Sequence, residues 1–408
     1  MLFVVGGAAL AELTLLLDER VDTLPSSLTA TVDSARSVFS VVAGATLAFA
    51  GIAFSVSLLL ISLASSQYSP RVVHGLFRDP FNKRVMGVVI GTFTYCLVAM
   101  RAVRGPLEES GTAVVPSVSV LLAVVLGVVS VLSIVAFISH GAHSMDVSQI
   151  LHGVTEEAIN QVRQTWRDDV DIDGEPDRTE PAGDGYAVAF DRHGWVQQID
   201  DEALLAALAP GACLRLDTAP GRYAIPETPI CTIWPHPDDE EAFVRAARAA
   251  IIIGESRTMQ QDVAFGVRQL ADVALKALSP GINDPTTAQD ALFHLGAVVQ
   301  EMLVRQPPSP RLIGDENRTI LRPQEVTHEE VIAVAFDEVR IAAVGQPTVQ
   351  IYVLEILHLL ALSPNADSTV SEALVRQADL VLETLQFAEL PSADLDRVRA
   401  AHHKRFGP

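Results

Sequence analysis

Apolar positions form long uncharged runs early in the chain and fall at helical or alternating spacing later. Four runs stand out: residues 2–17, interrupted by Glu12; 38–64, with no charge; 85–100; and 113–139, again with no charge. A helix that crosses a bilayer takes about 20 mostly apolar residues. The second and fourth runs meet that length easily, the third is near the minimum, and the first is slightly short. The first run has no basic residue ahead of its apolar stretch and no clear small-x-small cleavage site, which favours a retained helix over a removed leader. The pattern therefore predicts an α-helical membrane domain over residues 1–145, with four spans, or three if the first run stays out of the lipid.

Beyond it the periodicity changes. Residues 146–184 read as a helix followed by a linker rich in Asp, Glu, Pro and Gly. Residues 185–236 hold short alternating stretches, 186–190, 195–199, 213–216, 223–225 and 230–234, split by turn-type sequences such as Asp191-Arg192-His193-Gly194. They predict a small β-barrel or sandwich module. Residues 237–408 carry apolar positions at helical spacing and predict a helical soluble domain, with a short strand pair near 311–321. Asp284 before Pro285 has the form of an N-cap followed by a first-turn proline, so a helix is expected to start there.

Charge sharpens the division. The eight acidic and eight basic side chains of residues 1–144 cancel, so the net charge of −21 lies entirely on the rest of the chain. Such a surface repels nucleic acid and can attract inorganic cations. The segment between the second and third runs holds Arg71, Arg78, Lys83 and Arg84. The excess of basic residues on the cytoplasmic side of membrane proteins places it, and with it the C-terminal domain, in the cytoplasm.

Candidate chemistry is sparse. In the second run Gly44, Ala48, Gly51, Ser55, Ser62 and Ser66 fall on one side of a helix, with Leu59 breaking the row. A small-residue stripe lets another helix come close, either within the chain or across a pore or subunit contact. The second to fourth runs have no ionisable residue at mid-span, which argues against an ion-coupled pump, although a pore lined by hydroxyl groups needs none. His140 and His143 have a spacing that can ligate a metal, but no thiol or carboxylate partner lies nearby in sequence. The three cysteines, Cys96, Cys213 and Cys231, form no Cys-x-x-Cys, and no P-loop, nucleophile elbow or metalloprotease motif occurs. No catalytic residue and no cofactor is expected. Arg257, Asp262, Arg268, Gln269, Asp272, Asn283 and Asp284 gather around one helix pair, as a polar junction or as a ligand or subunit site.

Several stretches carry a resemblance. Phe54-Ser55-Val56 with Gln67-Tyr68-Ser69-Pro70-Arg71, Phe137-Ile138-Ser139-His140, and Phe265-Gly266-Val267-Arg268-Gln269-Leu270-Ala271-Asp272 lead to Ala277-Leu278-Ser279-Pro280-Gly281-Ile282-Asn283-Asp284-Pro285. Together they resemble the domain-of-unknown-function family 2254, which implies a bacterial multi-pass inner-membrane protein and brings no established activity. Two function classes stay open. One is a homo-oligomeric channel or passive transporter with an acidic cytoplasmic vestibule. The other is a membrane-anchored ligand sensor or scaffold without a pore.

Overall fold

A computed structural model of the chain describes residues 1–20, 31–67, 80–104, 115–143, 146–167, 181–323, 326–363 and 368–407, with the side chains of 64–67, 80, 142 and 143 excepted. The chain divides into two compact units, Met1–Gln149 and Ile150–Pro408.

The first unit is helical: α1 is Leu2–Asp18, α2 is Val32–Gln67, α3 is Pro80–Met100 and α4 is Ser117–His143. Three stretches, Val32–Leu63, Phe81–Met100 and Ser117–Gly141, are long and apolar enough to cross a membrane. Helix α1 has 17 residues, about 25 Å of helix, a little less than the roughly 30 Å hydrocarbon core of a bilayer. It lies against α3 with unusually close backbones. A Cβ on Gly7 would run into the Gly91 carbonyl, and one on Gly87 into the Phe3 ring. The pairs Phe3–Gly87 and Gly7–Gly91, with the Thr14–Tyr95 hydrogen bond, show that α1 and α3 run parallel.

The interior of this bundle holds Phe39, Ala43, Tyr95, Cys96 and Ala99. Its buried hydroxyls find partners within the bundle, because nothing in hydrocarbon would supply them. The Tyr95 hydroxyl donates to the Ser119 carbonyl at 3.0 Å and meets the Thr14 hydroxyl at 3.0 Å. Ser130 Oγ donates to Thr92 Oγ1 at 3.0 Å. The Asp18 carboxylate accepts from the Val118 and Ser119 amides at 2.7 and 3.0 Å, and from the Ser119 hydroxyl at 2.7 Å, so it caps the start of α4. Glu12 pairs with Arg101 just past the end of α3, and both side chains are largely exposed. The charge that interrupts the first run therefore stands level with the end of a neighbouring helix, not with its middle.

The second unit combines sheets and helices. After α5 (Val147–Thr165) come β1 (Tyr186–Ala189), β2 (Gly194–Ile199), α6 (Asp201–Ala207), β3 (Cys213–Leu216), β4 (Tyr223–Ala224), β5 (Pro229–Trp234), α7 (Glu240–Ala249) and β6 (Ile251–Gly254). Then follow α8 (Val263–Ala277), α9 (Pro285–Leu303), β7 (Arg311–Ile313), β8 (Thr319–Leu321), α10 (His328–Ala342), α11 (Pro347–Ala361), α12 (Ser368–Leu385) and α13 (Ser392–Phe406).

The strands form a five-stranded sheet, β1-β5-β3-β8-β7, and a three-stranded sheet, β4-β2-β6. All pairings are antiparallel except β3 with β8. Both sheets are open, so of the barrel or sandwich expected over 185–236 the barrel is not formed. The reason lies in the first turn: β1 and β2 do not pair with each other but enter different sheets. Strands β6, β7 and β8 join from outside the 185–236 segment. One core serves both sheets, with Val188, Val196, Leu214, Ile230, Ile233, Ile251 and Ile320 joined by Leu204 of α6 and Phe243 of α7. Residues 251–253, within the stretch expected to be helical, lie instead in the strand β6.

In the helical half α8 is central, buried on nearly every side, with α9 and α10 against it. Helix α11 packs on α9, α12 and α13.

Candidate functional site

The small-residue stripe of α2 faces away from the rest of its own bundle. Ala35, Phe39, Ala43, Thr46 and Ala53 are buried, whereas Gly44, Ala48, Gly51, Ser55 and Ser62 are exposed. A Cβ added at Gly44 or Gly51 would meet no atom within 4 Å. The Ser55 hydroxyl donates to the Gly51 carbonyl at 3.0 Å, which leaves its lone pairs free to accept. Intramolecular packing, one of the two readings of the stripe, does not use this face among the described residues. The Ser66 side chain lies outside the described residues. Beside the buried face, Val38, Val41, Val124, Val128 and Leu132 line an apolar groove of about 490 Å³ between α2 and α4.

Of the histidine pair, His140 stacks on Phe81, with ring centroids 4.5 Å apart, while the His143 side chain lies outside the described residues. Among the described residues no group of three or more metal-ligating side chains converges. Cys213 stands opposite Trp234 and Cys231 opposite Leu216, so the strand register holds the two thiols apart. Burial pushes the Cys231 thiol up to about 12, which leaves it a small apolar side chain at neutral pH.

The seven polar residues around α8 separate into three places along it. At its N-terminus Asp262 caps the helix, accepting from the Phe265 amide at 3.1 Å, and takes two bonds from Arg257 at 2.5 and 3.1 Å. The Arg257 guanidinium lies over the rings of Phe265 and Trp195, at 5.1 and 5.9 Å from their centroids. Burial pushes the Asp262 carboxyl up, against the pull of Arg257. Gly221, at φ +83°, brings its backbone so close that a Cβ there would strike the Asp262 carboxylate. Midway along α8, Arg268 bridges Asp272 at 3.0 Å and Glu338 of α10. The Glu338 bond holds the Arg268 guanidinium protonated more firmly than usual. Gln269, on the same helix, is buried. Past the C-terminus, Asn283, in left-handed backbone at φ 50°, accepts from Gln346, the residue just before α11, at 2.8 Å. Asp284 caps α9 through the Thr287 amide at 3.1 Å and hydroxyl at 2.6 Å, and these bonds hold its carboxyl below the usual carboxylate range.

Fifteen helical residues separate the first place from the last, about 22 Å. The seven therefore do not converge on one ligand. Arg257, Asp262, Arg268, Asn283 and Asp284 instead tie α8 or its exit loop to neighbours.

Two features had no counterpart among the residues singled out from sequence. His294 of α9 meets the Thr155 hydroxyl at 2.8 Å, and burial lowers its pKa. A recess of about 300 Å³ opens where β1 and β2 part, with Asp191, Arg192 and Arg248 at its rim. The turn sequence 191–194 marked the chain reversal there, but only the split of the hairpin between two sheets creates the space.

Known proteins place these observations. A protein of Mycobacterium tuberculosis and one of Mycobacterium bovis, both described as uncharacterized, are each 31% identical over 285 residues, 68% of this chain and 54% of theirs. The chain thus spans about half the length of the curated relatives it matches. No solved structure matches. A family model described as predicted membrane protein, DUF2254, matches residues 1–358, and the chain belongs to that family.

Proposed function

We propose that this membrane protein self-associates through the small-residue face of α2 and that the assembled faces line a passive path for small inorganic cations. The observation that carries the reading is the exposure of Gly44, Gly51, Ser55 and Ser62 on a helix whose opposite face is buried. Small residues at such a face let backbones of neighbouring copies approach, and hydroxyl and carbonyl oxygens replace part of an ion's hydration shell. The interior of the single chain is filled by Phe39, Tyr95 and Phe137, so the path belongs between copies. The negative charge of the C-terminal domain raises the cation concentration at its mouth.

The arrangement has four passes. Helices α1 and α3 run parallel, as alternate passes do, and Lys83 and Arg84 open α3 on the side that the positive charges keep in the cytoplasm. The C-terminal domain is then cytoplasmic, at the bacterial inner membrane. The reading contains no catalytic step.

Purified protein in liposomes tests it. Wild type is expected to form a defined oligomer and to pass monovalent cations. Gly44→Leu with Gly51→Leu is expected to shift the oligomer to monomer, and Ser62→Leu to cut flux by about tenfold or more. Flux unchanged in Ser62→Leu, or currents carried by anions, would sink the pore.

A second reading, an anchored ligand sensor, is favoured by a different observation: the recess at the parting of β1 and β2.

A further inference from the structure

We propose that this recess in the soluble domain binds a small carboxylate bearing a short branched aliphatic tail. The site follows from the topology. Strand β1 lies at an edge of the five-stranded sheet and β2 at the centre of the three-stranded sheet, so residues 190–193 cross from one to the other. The two sheets share one core, and at this end their separation is not filled. Ile230, Ile251 and Phe190 are almost wholly buried beneath it, and half-buried Ile253 is its accessible apolar wall. The volume, about 300 Å³, is at the small end of ligand cavities and excludes a nucleotide or a long lipid chain.

The rim fixes the charge of the occupant. Arg248 is already committed: its Nε and Nη2 donate to the Ala189 carbonyl at 3.2 and 2.9 Å, and its Nη1 lies 3.3 Å from Asp191 Oδ2. Asp191 and Arg248 thereby neutralise each other. Arg192 has no ion-pair partner among the described residues. One guanidinium without an ion-pair partner therefore stands at the mouth of a recess with an isoleucine wall, in a domain whose net charge is strongly negative. A cation is repelled by Arg192, and the Asp191 carboxylate already faces Arg248. A phosphate also fits the fork but leaves the apolar wall uncovered. A carboxylate matches the fork with two parallel hydrogen bonds, while its tail lies against Ile253 and removes apolar surface from water. Free short-chain acids and a short acyl acid released from lipid share this chemistry, and the chain length preferred separates them. The inference concerns the soluble unit alone and does not rest on the pore.

Calorimetry on the full chain in detergent tests it, with isovalerate, acetate, octanoate and the neutral isostere isovaleramide as probes. Isovalerate is expected to bind. Acetate lacks the tail, octanoate exceeds the recess and isovaleramide lacks the charge, so each is expected to bind about tenfold or more weakly. Arg192→Gln, an exposed position whose change leaves the fold intact, is expected to weaken isovalerate by the same factor, and Ile253→Phe to abolish binding by filling the space. Octanoate preferred over isovalerate would reassign the source to lipid and overturn the short-tail claim. Isovaleramide equal to isovalerate, Arg192→Gln without effect, or no heat from any probe with the circular dichroism spectrum unchanged would overturn the site.

Discussion

The two units differ in how they bury polar groups. Inside the membrane bundle the fully buried partners are neutral: Thr14 with Tyr95, Tyr95 with the Ser119 carbonyl, Ser130 with Thr92. Inside the second unit charged pairs, Arg257 with Asp262 and Arg268 with Asp272, stand beside neutral ones such as Thr155 with His294. A hydroxyl pair costs little to desolvate, so it survives in lipid. An ion pair tolerates burial only where water reaches one side or where further contacts complete it; here two rings cover Arg257 and the Phe265 amide donates to Asp262. The surrounding solvent, more than the local fold, selects which polar chemistry a core can carry.

The widest gap between the two units is expected at the Arg257–Asp262 pair. Asp262→Ala leaves the half-buried Arg257 guanidinium without its carboxylate and removes the cap of α8, and is expected to cost about 3 kcal/mol, read as the fall in the second unit's unfolding midpoint in urea. A change below about 1 kcal/mol would mean that water replaces the carboxylate and that the contrast with the membrane bundle is false.

A smaller effect is expected at Asp284. Replacing it with alanine is expected to cost about 1 kcal/mol, the usual worth of a cap. Its carboxyl is held below the ordinary value by Thr287, so the stabilisation is complete above that value and fades as pH falls through the lowered one. The variant's deficit relative to wild type should therefore shrink in acid, and a deficit independent of pH would assign the effect to packing.

The smallest belongs to the membrane. Ser130→Ala is expected to cost only about 0.6 kcal/mol in a refolding assay in bicelles, because hydroxyl pairs between membrane helices are individually weak. A loss comparable to that at Asp262 would erase the distinction.

What could be read from sequence follows the same physics. The uncharged runs mark α2 and α4 because lipid demands continuous apolar length, and Asp284-Pro285 marks the start of α9 because the cap is local. The sheets resist such reading. Ile251–Ile253 is an apolar triplet that suits helix or strand equally, and only its pairing with β2 decides. The parallel pairing of β3 with β8 joins residues about a hundred positions apart and has no local signal. Among the candidate residues, what Asp262 and Asp272 each meet, Arg257 or the Arg268–Glu338 bridge, depends on neighbours that spacing does not reveal.

The reach of Asp18 across a hundred positions to the amides of Val118 and Ser119 has a consequence for biogenesis. Helix α1 is made before α4 and carries the group that completes the start of α4. Until α4 arrives, the carboxylate waits without those amides; were α1 cut away before then, α4 would insert with its opening amides bare. Maturation of this bundle is thus the closing of a later helix upon an earlier one.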